Sequence, residues 1–86
     1  MSESNQVTGR QIAAGRALAG ISQSDLATAA RVSVPTLRRM EASEGQAAGF
    51  ANNVAAVRRA LEDAGVEFIP ENGGGPGVRL RKGGAE

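Results

Sequence analysis

The chain has 86 residues, with ten Lys or Arg against nine Asp or Glu and a formal net charge of +1. It contains no Cys and no His, which excludes thiol nucleophiles, disulfides and the usual zinc sites, and removes the commonest general base. That length predicts one domain with a modest core, in the size range where oligomerisation often supplements folding. Apolar runs are too short for a membrane span, and "MSESNQVTG" lacks the basic and apolar regions of a signal peptide. The expectation is a cytoplasmic protein whose residues 1–7 form a flexible N-terminus.

In chain order, Thr8 and Gln11 make a T-x-x-Q capping box that opens a helix over 9–19. Its inward stripe is Ile12, Ala13, Arg16 and Ala19, and Gly20 ends it. Ser22 and Asp25 open a second helix, 23–30, with Leu26, Ala27 and Ala30 inward. Arg31, Val32 and Ser33 make a tight connection. Ser33 caps a third helix, to about residue 42, and Pro35 is tolerated in its first turn because the N–H there has no intrahelical partner. Leu37, Met40 and Glu41 share one face. Residues 42–49 are small and irregular, with room for a single helical turn, and Phe50 is expected to cover the core. Asn52 or Asn53 caps a helix to about 64, with Val54, Val57 and Leu61 as its stripe and Gly65 after its end. "VEFI" (66–69) and "VRLR" (78–81) then alternate around "PENGGGPG", which predicts a β-hairpin. The fold class is therefore mainly α: four to five short helices with a helix-turn-helix, plus a C-terminal β-hairpin. The expected layout is a helical domain at 8–65, a hairpin at 66–82 and a tail at 83–86.

Two short helices joined by three or four residues, the second opened by Ser and carrying surface Arg, describe a helix-turn-helix. Arg38 and Arg39 are adjacent on that second helix, so both cannot point into one core. Nine of the ten basic residues are Arg, the exception being Lys82. Arg suits bidentate contact with phosphate and guanine, although a GC-rich coding bias would enrich Arg as well.

The segment "GRALAGISQSDLATAARVSVPTLRRMEAS" resembles the lambda-repressor/Cro-like, or XRE, family of helix-turn-helix regulators. The resemblance rests on Arg16, Gly20-Ile21-Ser22-Gln23, Leu26-Ala27, Val32-Ser33 and Glu41, and covers roughly residues 8 to 64. It implies a phosphate-clamping role for Gln23 and a structural ion pair between Arg16 and Glu41. It also implies a recognition helix whose DNA-facing positions are Ser33, Val34, Pro35, Thr36, Arg38 and Arg39. One of the two arginines would then read guanine and the other hold phosphate. The bland alternative is two solvated arginines paired with Glu41 or Glu44. Val34 and Pro35 depart from the polar residues common in the family, and Arg31 stands where the turn often has Gly. Glu44 is acidic where relatives often contact phosphate.

The hairpin lies outside that resemblance. Two strands alone are marginal in water, so the hairpin covers this chain's own core, pairs with another copy, or does both. The expected dimer surface uses the 53–64 helix with Val66, Phe68, Ile69, Val78 and Leu80. Arg79, Arg81 and Lys82 offer a further reading as a basic wing on DNA. The loop lacks the G-K-[S/T] ending and following helix of a phosphate-binding loop.

The function expected from the resemblance is a non-enzymatic, cytoplasmic, nucleoid-associated regulator from a bacterium or phage. It would act as a repressor, binding an inverted repeat in double-stranded DNA as a homodimer. The alternative is a protein-interaction module such as an antitoxin whose C-terminal segment binds a partner protein. No catalytic residue, metal, cofactor, small-molecule ligand or membrane partner is expected.

Overall fold

The computed structural model describes residues 7–82, which form four helices followed by an antiparallel hairpin. Helix α1 spans Gly9–Ala19, α2 Gln23–Ala30, α3 Val34–Ala42 and α4 Ala51–Asp63; strand β1 spans Val66–Ile69 and β2 Gly77–Leu80. The extra helical turn allowed for between 42 and 49 does not form, so the helices among the described residues number four. None of them is long and apolar enough to cross a membrane.

Local chemistry sets most boundaries. Thr8 Oγ1 accepts from the Gln11 N–H at 3.0 Å, and Gln11 Oε1 accepts from the Thr8 N–H at 2.9 Å, closing the capping box. Ser22 and Ser33 cap α2 and α3 by accepting from the N–H groups of Asp25 and Thr36. Gly20 takes the left-handed conformation, φ 72°, that ends α1. The start of α4 differs from the expectation. Phe50, not Asn52 or Asn53, holds the N-cap position, with no side-chain cap bond. Gly49, at φ 122°, turns the chain one residue earlier, so the Phe50 carbonyl already accepts from the Asn53 and Val54 N–H groups. That position sends the Phe50 ring outward, 77% exposed, instead of over the core.

The core joins Ile12 of α1, Leu26 of α2, Leu37 and Met40 of α3, Val57 and Leu61 of α4, and Val66 of β1, all with no exposed surface. Each such side chain contributes about 1.5–3 kcal/mol relative to staying in water. Val7 corrects the expected flexible segment 1–7: it is 2% exposed, and its carbonyl accepts from the Ala47 N–H at 2.8 Å. Burial in the core and the bond to Ala47 thus place the chain one residue earlier than the capping box suggested. Residues 1–6 and the tail 83–86 lie outside the described residues.

The hairpin register pairs Val66 with Leu80, Glu67 with Arg79, Phe68 with Val78 and Ile69 with Gly77. Val66, Phe68, Val78 and Leu80 therefore share one face, and Val66, Phe68 and Val78 pack on the core. A Cβ on Gly15 would lie 3.1 Å from Val66 Cγ1, so the strand rests on a glycine of α1. Gln11 fastens the other end, because its Nε2 donates to the Ile69 carbonyl at 3.1 Å and to the Gly77 carbonyl at 3.0 Å. Gln11 is 5% exposed, and its amide caps its own helix while tying down the hairpin. The hairpin covers this chain's own core, the first of the two roles the sequence allowed.

Candidate nucleic-acid interface

Helix α3 divides cleanly between core and surface. Leu37 and Met40 are fully buried, so the helical period carries Arg38 and Arg39 to the outside, where both are exposed. Glu41, one of the two acids that would make them an ordinary solvated pair, faces the other way and is bound to Arg16. Glu44 is exposed, and no ion pair among the described residues includes Arg38 or Arg39. Arg39 Nη2 lies 3.4 Å from Thr36 Oγ1, a loose contact that leaves most of its donors open. At the start of the helix Ser33 is exposed and engaged as the cap, its hydroxyl also donating to Thr36 Oγ1 at 2.9 Å. Pro35 is exposed, Thr36 half-buried, and Val34 half-buried against the core. The polar surface of α3 is therefore concentrated in Ser33, Thr36, Arg38 and Arg39.

A hydrogen-bonded chain ties this surface to α1 and α2. Arg16 Nε donates to Glu41 Oε2 at 2.8 Å, Arg16 Nη2 to Glu41 Oε1 at 3.2 Å, and Arg16 Nη1 to the Ile21 carbonyl at 3.1 Å. This fork geometry is the strong form of an ion pair. Glu41 Oε1 also accepts from Gln23 Nε2 at 3.0 Å. Gln23, the first residue of α2, is thereby oriented by a carboxylate that is itself neutralised by Arg16. One Nε2 hydrogen is used in this bond, and the second remains for an outside acceptor beside the positive N-terminal end of α2. The Gln23–Glu41 bond was not legible in the sequence, since it joins positions 18 residues apart whose pairing depends on how α2 crosses α3.

The turn between α2 and α3 carries backbone strain. Arg31 has φ 60° and ψ 42°, and it is the one non-glycine residue with positive φ among those described. An L-residue pays about 1–2 kcal/mol for that conformation, which Gly does not. The conformation lets the Arg31 and Val32 N–H groups close the end of α2 on the Thr28 and Ala27 carbonyls. Arg31→Gly is expected to raise stability by about 1 kcal/mol, a melting shift of roughly 4–8 °C for a domain of this size. An unchanged or lower melting temperature would mean that contacts of the Arg31 side chain outweigh the strain.

The C-terminal cations are placed otherwise. The hairpin packs on α1 and α4. Arg79 Nε donates to Glu67 Oε1 at 2.7 Å. That hydrogen bond, with the charge of Arg79, holds the Glu67 carboxyl below its ordinary pKa, and it raises that of Arg79. Arg81 Nη1 reaches the Glu62 carbonyl at 3.3 Å. Arg58 pairs with Glu62 at 2.9 Å and lies 5.2 Å from the centre of the Phe68 ring. The glycine loop already holds an anion of its own: Glu71 Oε2 accepts from the N–H groups of Gly73 and Gly75 at 3.0 and 3.3 Å. Among the residues expected at a dimer contact, Val66 is sealed inside the chain, while Phe68, Ile69 and Val78 are half-buried. Leu80 is 47% exposed and Leu18 of α1 45%.

No protein-family model matches this chain, and no curated protein matches it significantly.

Proposed function

We propose that this chain is a sequence-specific DNA-binding transcriptional regulator of the lambda-repressor/Cro-like kind, with α3 entering the major groove. The observation that carries the reading is the exposed pair Arg38 and Arg39, neither of which has a carboxylate partner among the described residues. They stand on a helix whose opposite face is locked in the core. A guanidinium held this way suits guanine O6 and N7 or a phosphate. Gln23 and the start of α2 supply a backbone contact, with Ser33 and Thr36 beside the first turn of α3. The net charge of +1 is too small for strong non-specific attraction, so affinity would depend on local contacts. A homodimer would place two recognition helices on an inverted repeat, about 34 Å apart. Repression by occlusion, in the cytoplasm on the nucleoid, is the simplest role for a unit this small.

The test is selection of bound duplexes from a random DNA library at two salt concentrations. An enriched inverted repeat supports the reading. Binding without any enriched sequence, collapsing as salt rises, would leave only the charge-driven term. On the enriched site, alanine at the arginine of the pair Arg38 and Arg39 that reads guanine is expected to cost about 1–3 kcal/mol and to relax specificity at one base pair, as measured by competition with single-base variants. Alanine at the other arginine of the pair is expected to weaken all sequences alike and to lower the salt slope by about one. If Arg38→Ala and Arg39→Ala both bound the selected site with unchanged affinity, the major-groove assignment would fail.

A second reading is a protein-interaction module such as an antitoxin whose C-terminal segment binds a partner protein, with the exposed Phe50 ring as a further contact. A single exposed aromatic is ordinary on a monomer surface. A stable protein partner copurifying with the tagged chain, and lost in Phe50→Ser, would bring that reading forward.

A further inference from the structure

The loop between β1 and β2 carries a chemistry that neither the core nor α3 uses. Of the four asparagines in the chain, Asn72 alone is followed by glycine. An asparagine side-chain amide can be attacked by the backbone nitrogen of the next residue, which closes a five-membered imide ring. Glycine in that next position has no Cβ to crowd the attack. Asn72, Gly73 and Gly74 are all exposed. Asn72 Oδ1 stands 3.9 Å from where a Cβ on Gly74 would lie, so the amide leans over the peptide units that follow it. Asn52 and Asn53 are placed differently. They stand in the first turn of α4, where the N–H groups of Asn53 and Val54 both donate to the Phe50 carbonyl at 3.0 Å. Val54 is also β-branched and crowds its own nitrogen.

Glu71 sits directly on the reacting atom. Its Oε2 accepts from the Gly73 N–H at 3.0 Å and from the Gly75 N–H at 3.3 Å. The Gly73 nitrogen must lose its proton before it attacks. A carboxylate accepting from that N–H favours the protonated form and opposes a second negative charge beside it. The bond must also open before the nitrogen can swing toward Asn72 Cγ.

We propose that Asn72–Gly73 is a self-modification site, at which the chain converts Asn72 to aspartate and isoaspartate, with Glu71 as its brake. The Gly73 nitrogen gives its proton to solvent and bonds to Asn72 Cγ. The Cγ–Nδ2 bond breaks, and Nδ2 leaves as ammonia, taking a proton back from solvent. One water then opens the imide. Cleavage of the new N–Cγ bond leaves aspartate. Cleavage at the main-chain carbonyl leaves isoaspartate, with the chain running through the former side chain. One water is consumed, one ammonia is released, and nothing is oxidised or reduced. The product is a tenth acid against ten bases, which takes the formal net charge from +1 to 0. Gln11 holds the Ile69 and Gly77 carbonyls on either side of the loop, so the hairpin stays on α1 after the change. The inference does not depend on the DNA-binding reading.

The experiment is incubation of the full chain at neutral pH, followed by peptide mass spectrometry and by methyl labelling with an isoaspartate-specific carboxyl methyltransferase. The peptide that contains Asn72 is expected to gain the mass difference between an amide and an acid and to take the label. The peptide that contains Asn52 and Asn53 is expected to do neither. Asn72→Gln, which would have to close a six-membered ring, is expected to stay unmodified at this position. Glu71→Ala is expected to raise the rate about threefold to tenfold, up to the factor that one hydrogen bond to a charged group corresponds to. The unaltered chain in guanidinium chloride, where the Glu71 contact is lost, should also react faster, and this arm needs no substitution. An Asn72 peptide that gains no mass would overturn the site. A rate that neither Glu71→Ala nor unfolding increases would overturn the brake.

Discussion

Glu41→Ala is expected to lower stability by about 3 kcal/mol, the lower end of what removing one partner of a buried ion pair costs. The side chain of Glu41 is 9% exposed, and that of Arg16 is 24% exposed. With the carboxylate gone, a half-buried guanidinium keeps only the Ile21 carbonyl, and the Gln23 amide loses its acceptor. Solvent reaches part of Arg16, which keeps the cost below that of a fully buried charge. A domain of 86 residues has a total stability of about 4–13 kcal/mol, so the variant would be partly unfolded at moderate temperature. Urea denaturation measures it, as a lower midpoint with unchanged slope. Arg16→Ala combined with Glu41→Ala should cost clearly less than the sum of the two, since the second change removes a charge already orphaned by the first. A loss within 0.5 kcal/mol of zero for Glu41→Ala, or strict additivity of the pair, would refute a structural role for the network. On the proposed DNA-binding reading, affinity should also fall where the variant remains folded at low temperature, because Gln23 is no longer held in place.

Gly9→Ala is expected to cost about 3 kcal/mol or more, at or above the upper range of overpacking. A Cβ there would overlap the Met40 carbonyl oxygen and lie 2.8 Å from that of Ser43. Both are backbone atoms, so no side chain can rotate away. The Gly9 N–H also donates to the Gly45 carbonyl at 3.0 Å. The first turn of α1 is therefore pressed against the end of α3, and separating the two shifts the helix that bears Arg38 and Arg39. Thermal melting of the variant checks this. A melting temperature within a few degrees of the parent would show that α1 and α3 can part without cost, and the close approach would lose its structural meaning.

The sequence by itself determined the helices wherever a boundary depends on neighbours along the chain. The Thr8–Gln11 box, the Ser22 and Ser33 caps, Gly20 after α1, and Pro35 in the first turn of α3 act over one to four residues, so their chemistry reads directly. The alternation in 66–69 and 78–81 likewise announced the hairpin, because a period of two is local. It also showed that Arg16 and Glu41 lie on inward stripes and that Arg38 and Arg39 lie on the surface, since helical periodicity alone separates those faces. What a face packs against is not a local quantity. Gln11 reads as a capping residue, and only the fold brings the Ile69 and Gly77 carbonyls to its free amide hydrogens. Gly9 and Gly15 read as ordinary helix positions, and only the fold shows that α3 makes the missing side chain of Gly9 necessary and that β1 leaves little room at Gly15. Phe50 reads as core by its hydrophobicity, yet the turn at Gly49 leaves it outside. The hairpin's partner was open for the same reason. Its apolar face could cover this chain, another copy or both, and the packing of Val66 on Gly15 shows that it covers this chain.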